Sequence, residues 1–133
     1  SLEMGGKNAQ IVLDDADLDL ALDGVLWGAF GTTGQRCTAT SRLILQDGIH
    51  DRFVAALAAR ATSLVLGDGR TAGTDVGPLI HEASREKVER YVEIGRGEGA
   101  ELVCGGRRAT GGALDHGCFF EPTIFTNVRP GSD

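Results

Sequence analysis

The sequence predicts an α/β fold, with a mainly parallel sheet and flanking helices. Short apolar runs alternate with longer segments whose apolar residues recur every three or four positions, and Gly, Asp or Pro marks many of the junctions. Strands alternating with helices in this way point to layered α/β architecture with parallel strands. No internal repeat, low-complexity tract or shift in composition marks a second domain.

The elements follow in order. Ile11, Val12 and Leu13 form a short apolar run ending in acids, which reads as a buried strand leading into a helix. Asp15 or Asp17 is placed to cap that helix, because a carboxylate accepts from free backbone N–H groups and suits the positive end of the dipole. The helix should run to about residue 30, with Leu18, Leu22, Val25, Leu26, Ala29 and Phe30 on one face. Residues 42–46 (RLILQ) read as a strand, and Asp47-Gly48 as a turn. A second helix is predicted over residues 50–64, with Phe53, Leu57, Ala61 and Leu64 as its apolar stripe. Residues 67–77 (GDGRTAGTDVG) read as a polar loop ending at Pro78. A third helix over residues 82–94 would turn Val88, Tyr91 and Val92 inward and pair Glu86 with Arg90 on its wet side, with Gly95, Gly97 and Gly99 ending it. Residues 101–104 (ELVC) and 119–128 (FFEPTIFTNV) read as extended segments, Pro122 standing near the start of the second.

At 133 residues the chain has the size of one ordinary domain and can bury roughly two-thirds of its unfolded surface. Its net charge of −6 argues against nucleic acid as a partner, since phosphate binding needs clustered Lys and Arg. No apolar run approaches the roughly 18–20 residues that span a bilayer, and the N-terminus lacks the layout of a signal peptide. A cytoplasmic protein without membrane contact is the expectation. Cys37, Cys104 and Cys118 are odd in number and widely spaced, which disfavours a disulfide framework. His50, His81 and His116 stand at no ligand spacing, so no metal site is expected.

Two residues pose the question of chemistry. Cys37 follows the Gly/Thr-rich run of residues 30–34 (FGTTG), in a loop where backbone N–H groups could face an oxyanion. It is either a nucleophilic thiol or a small buried hydrophobe, and spacing alone favours packing. Glu3 stands in LEMGG between two apolar residues and a glycine pair. It is either solvated surface or a partly enclosed carboxylate whose raised pKa would let it accept a proton near neutrality. Glu and Cys together could make a water-activating base and a nucleophile.

Residues 2–8 (LEMGGKN) resemble the glutamate signature of the NAD(P)-dependent aldehyde dehydrogenase superfamily, and residues 30–41 (FGTTGQRCTATS) resemble its cysteine signature. Glu3 and Cys37 stand 34 residues apart, an interval similar to the family's. DADLDLAL, SRLIL, VGPLI and FFEPTIF are weaker likenesses along the rest of the chain. The resemblance implies that the Cys37 thiolate attacks an aldehyde carbon and that the resulting alkoxide is held partly by the Cys37 backbone N–H. Hydride transfer to NAD or NADP would leave a thioester, which water activated by Glu3 would hydrolyse to a carboxylic acid. It also implies that the Met4 carbonyl lies against the nicotinamide amide and that Lys87 reaches the adenosine ribose. On the residues alone, Met4 is equally a packing residue and Lys87 an exposed helix lysine. Gln35 and Arg36 would either shape the substrate entrance or hold the loop, and Cys104 and Cys118 read as packing or surface thiols.

The same resemblance makes residues 1–133 a partial catalytic domain, truncated at both ends, with the cofactor-binding region and the C-terminal part absent. The isolated chain is then expected to be inactive, because a cofactor site missing most of its walls cannot orient a hydride. The substrate implied is a small aldehyde, with GQRCTATSR resembling bacterial enzymes of semialdehydes, and the parent is expected to be a homo-oligomer, a dimer or tetramer. A relative that acylates coenzyme A or reduces an acyl phosphate, and a scaffold without catalysis, are the alternatives. Glu3 favours the hydrolytic enzyme, since that chemistry needs a base for water.

Overall fold

The computed structural model describes residues 1–132, which fall into two compact units dividing after Arg60. In the first, β1 (Asn8–Val12) leads through α1 (Leu18–Phe30) to β2 (Thr40–Leu45), and α2 (His50–Thr62) follows across the division. β1 and β2 pair in parallel, as a strand–helix–strand crossover requires. Their register runs from Asn8 opposite Thr40 to Val12 opposite Leu45, with one irregularity: Ala9 pairs with Arg42, so Ser41 is skipped. Such a bulge re-aims the chain that enters the strand.

Asp17 is the residue that caps α1. Its carboxylate accepts from the N–H groups of Asp19 and Leu20, both at 3.1 Å, a contact that stabilises a helix start by about 1 kcal/mol. Leu22 and Val25 are buried, while Leu18, Leu26, Ala29 and Phe30 are half-buried, so the apolar stripe lies where the periodicity places it. Gly28 lets α1 approach β2 closely: a Cβ there would stand 2.7 Å from Thr40 Oγ1. The Thr40 hydroxyl donates to Gln10 Oε1 on β1 at 2.9 Å. Arg60 on α2 reaches back to Asp19, at 2.9 Å, and to Asp23. Val12 is buried, but Ile11 is 67% exposed and Leu13 lies open as well. The expected buried strand is thus covered on one face only, because alternate residues of a strand point to opposite sides. On α2, Phe53, Leu57 and Ala61 are buried as expected, and Leu64 lies past the helix end, half-buried.

In the second unit, Leu66 and Val76 bridge the two ends of the glycine-rich loop. α3 (Glu82–Gly97) then leads to β3 (Glu101–Cys104), which pairs antiparallel with β4 (Ile124–Thr126). Of the mainly parallel pairing expected, β1 with β2 and the isolated Leu66–Val76 bridge are parallel, while β3 and β4 are antiparallel. Residues 105–123 hold a short 3-10 segment (Gly112–His116) and no α-helix, and without a crossover helix the chain returns beside β3 antiparallel. The last strand is also shorter than residues 119–128. Phe120 makes only an isolated bridge with Arg108, and Pro122 interrupts the ladder before Ile124.

α3 runs past Gly95 to Gly97, longer than predicted. Gly95 serves contact and not termination: a Cβ there would meet the Phe125 ring at 3.3 Å. Past the helix end Gly99, with a φ of 84°, completes a Schellman motif, Ala100 N–H donating to the Gly95 carbonyl and Gly99 N–H to that of Arg96. Leu79, Val92 and Phe120 form a buried cluster with Val88, Cys118 and Phe125 against it. Tyr91, expected inward, is 44% exposed. The ion pairs of α3 run through Arg85, to Glu82 and Glu89, and through Arg96 to Glu93, in place of a Glu86–Arg90 pair.

Arg85 holds the Glu82 carboxyl down to about 2 from an ordinary 4.5, with a further contribution from the Cys118 thiol. A carboxylate depressed in the folded state stabilises the fold above its unfolded pKa and loses that contribution as pH falls through its folded one. We expect stability to drain between about pH 4.5 and 2, and Arg85→Met to flatten that part of the profile. Urea midpoints across this range check it; an unchanged slope in the variant would remove Glu82 as the cause.

Candidate active site

α1 leaves its helical path abruptly. Thr32, Thr33 and Gly34 all take left-handed backbone angles, with φ of 54°, 59° and 65°. For a β-branched residue this costs about 1–2 kcal/mol, because Cβ crowds the following carbonyl. A bond from Gln35 N–H to the Thr32 carbonyl closes the reversal. Directly after it, Ala39 N–H donates to the Arg36 carbonyl at 3.0 Å, making residues 36–39 a tight turn. Cys37 is the first of its two central residues, and its own N–H stands outside the bond that closes it.

Cys37 is exposed, which sets aside the reading of a buried packing thiol. Its carbonyl faces β1, where Asn8 Nδ2 donates to it at 2.7 Å and also to the Ala39 carbonyl at 3.1 Å. Gly6 is nearby as well: a Cβ there would be 2.8 Å from the Cys37 oxygen, so only glycine fits without displacement. The end of LEMGGKN is thereby tied directly to the cysteine turn. Arg36 packs its guanidinium 3.9 Å from the centre of the Trp27 ring and donates from Nη2 to the Trp27 carbonyl at 3.3 Å. Of the two roles open to it, holding the loop is the one this geometry displays. The Arg36 Nε is buried without a hydrogen-bond partner.

Glu3 and Met4 precede β1 in the exposed segment of residues 1–7, at the same end of the parallel pair as Cys37. The expected partial enclosure of Glu3 is absent among the described residues. Its neighbours Leu2 and Met4 are 83% and 70% exposed, and a Cβ on Gly5 would meet nothing within 4 Å. Met4 is accordingly no packing residue here. Lys87 belongs to the second unit, exposed on α3, with its ammonium 5.9 Å from the centre of the Tyr91 ring. An open groove of 770 Å³ also lies along α3, lined by Glu89, Arg90, Glu93, Ile94 and Arg107 among others. None of Glu3, Met4, Cys37 and Lys87 lines it.

The other two thiols differ from Cys37 in setting. Burial pushes the Cys104 thiol up, and burial together with the Glu82 carboxylate does the same for Cys118. No group of three or more His, Cys, Asp or Glu is arranged to hold a metal among the described residues. No helix of the described residues is long and apolar enough to cross a membrane.

Cys37 thus stands exposed on a tight turn, tied through Asn8 to the glutamate-bearing segment at the mouth of a parallel strand pair, in an α/β unit. The model of the aldehyde dehydrogenase family matches residues 1–133, and the chain belongs to that family. It is 52% identical over 129 residues to betaine aldehyde dehydrogenase of Bacillus subtilis, covering 97% of this chain and 26% of that protein. With alpha-ketoglutaric semialdehyde dehydrogenase of the same organism it shares 44% over 127 residues, 96% of this chain and 26% of the relative. Among solved structures, betaine aldehyde dehydrogenase of Staphylococcus aureus in complex with NAD+ and with a BME-modified cysteine matches with a TM-score of 0.93. That match has 43% identity and covers 96% of this chain and 26% of the crystallised one. The chain thus spans about a quarter of the length of the curated relatives it matches.

Proposed function

We propose that residues 1–133 are the part of an NAD(P)-dependent aldehyde dehydrogenase that carries its nucleophile and its base. One observation supports this most directly: Asn8, at the end of the glutamate motif, is hydrogen-bonded to the carbonyl of Cys37, whose side chain is exposed. The two motifs that the chemistry needs are joined at the residue that would react.

Cys37 is assigned as nucleophile. Its sulfur forms a bond to the aldehyde carbon, and the Cys37 N–H, which lies outside the bond that closes the turn, is assigned to donate to the developing alkoxide. Glu3 is assigned as base: its carboxylate takes a proton from water, and the resulting hydroxide releases the acyl group from Cys37 as a carboxylic acid. The residues present suit a nicotinamide nucleotide in donor chemistry. The Met4 carbonyl sits in an open segment beside Gly5, where it can accept from the nicotinamide amide, and Lys87 presents an exposed ammonium suited to a ribose hydroxyl. When bound, the nucleotide supplies the hydride acceptor for the oxidation.

In this reading residues 1–133 are a partial catalytic domain, and the whole protein is a cytoplasmic homo-oligomer, a dimer or tetramer, acting on a small aldehyde or semialdehyde. Its three free thiols suit a reducing compartment. The experiment is an aldehyde panel on the whole protein with NAD+ and NADP+ in turn, including betaine aldehyde and alpha-ketoglutaric semialdehyde. Formation of reduced nicotinamide and an equal amount of carboxylate is expected. Product appearing only with added coenzyme A or phosphate would transfer the assignment to the acylating relatives, and no oxidation of any aldehyde would defeat it.

A further inference from the structure

We infer that Asn8 is a positioning residue for Cys37, fixing the direction in which the thiol leaves the backbone. The amide nitrogen of Asn8 has two hydrogens, and each goes to a different carbonyl, that of Cys37 at 2.7 Å and that of Ala39 at 3.1 Å. Holding the Cys37 carbonyl fixes the peptide plane that follows it, and with it ψ of Cys37. The bond from Ala39 N–H to the Arg36 carbonyl restrains the same turn from its other side. Of the torsions that aim the sulfur, little beyond rotation about Cα–Cβ remains free.

Two further observations point to this tie. The skipped residue Ser41 lies immediately after Thr40, the register partner of Asn8, so the ladder gives way at the level where the side chain substitutes for it. At Gly6 a Cβ would stand 2.8 Å from the same Cys37 oxygen, so a side chain there would press on the carbonyl that Asn8 holds. A carboxamide is required at position 8 in this arrangement. Aspartate has the same shape but no donor, and its charge would face two carbonyl oxygens.

This inference rests on the dehydrogenase reading, and the test separates the two. Asn8→Asp, Asn8→Ala and Cys37→Ala are made in the whole enzyme, and kcat, KM, the rate of Cys37 alkylation by iodoacetamide and the thermal midpoint are measured. Rates are normalised to folded protein. In both Asn8 variants kcat should fall by about 10–100-fold, with KM within about threefold of the parent. The alkylation rate should change as well, and aspartate should do more damage than alanine.

Unchanged kcat per folded enzyme in both variants would overturn the role, as would loss of the fold in both, which would make Asn8 a residue of general stability. A fall in kcat with alkylation unchanged would also overturn it, because the thiol would then not be what Asn8 aims. Activity surviving in Cys37→Ala would instead defeat the dehydrogenase reading, leaving the alkylation rates of the Asn8 variants to report on the turn by themselves.

Discussion

Replacing Cys37 with alanine in the whole enzyme should lower aldehyde oxidation by about 10⁴-fold or more, the scale seen when a covalent nucleophile is removed. The structure narrows which thiol could take its place. Cys104 and Cys118 both have raised pKa values, by burial and, for Cys118, by the Glu82 carboxylate, so each is further from the reactive thiolate. Cys104→Ala and Cys118→Ala should accordingly keep near-normal rates. Steady-state assays on the three variants check this, and full activity in the Cys37 variant would remove the covalent mechanism altogether.

The second large effect is expected at Glu3. Glutamine keeps the shape of the side chain but accepts no proton, so only release of the acyl group from Cys37 should suffer. Glu3→Gln should form about one equivalent of reduced nucleotide per site rapidly, then turn over about 10²–10⁴-fold more slowly. Stopped-flow absorbance followed by steady-state measurement distinguishes the two phases. A variant that turns over at the parental rate would show that another group activates the water, and recovery of turnover on adding coenzyme A would favour an acyl-transfer enzyme.

Helix positions were legible in the sequence because burial of a stripe repeats every three or four residues. Leu22 and Val25 on α1, and Phe53, Leu57 and Ala61 on α2, are buried where that period puts them. What was not legible depended on contacts between segments distant in sequence. Gly95 looks like a helix stop until Phe125 is seen against it, and the antiparallel return of β4 is decided by the lack of a crossover helix in residues 105–123. Tyr91 shows the limit of periodicity, since an amphipathic ring satisfies an inward position and a half-wet one equally well.

The candidate site divides in the same way. Cys37 and Glu3 could be picked out because their motifs are contiguous. Asn8 was quoted within one of those motifs, yet its contact with Cys37 crosses 29 positions and exists only once β1 and β2 have paired. The stacking of Arg36 on Trp27 was hidden for a similar reason, since the left-handed reversal brings the arginine back over the helix it has just left. Nothing in the local composition at Thr32 or Thr33 announces that reversal, because threonine seldom adopts it.

That reversal works as a length gauge. A helix allowed one residue more would advance by about 1.5 Å and rotate by about 100° before releasing the chain. Thr32, Thr33 and Gly34 forbid such creep, so the distance from the Asp17 cap to the sulfur-bearing bend is metered by a fixed number of helical steps. Insertions or deletions within that span would arrive at Cys37 as a change in the direction of its sulfur, even with every side chain of the two motifs intact.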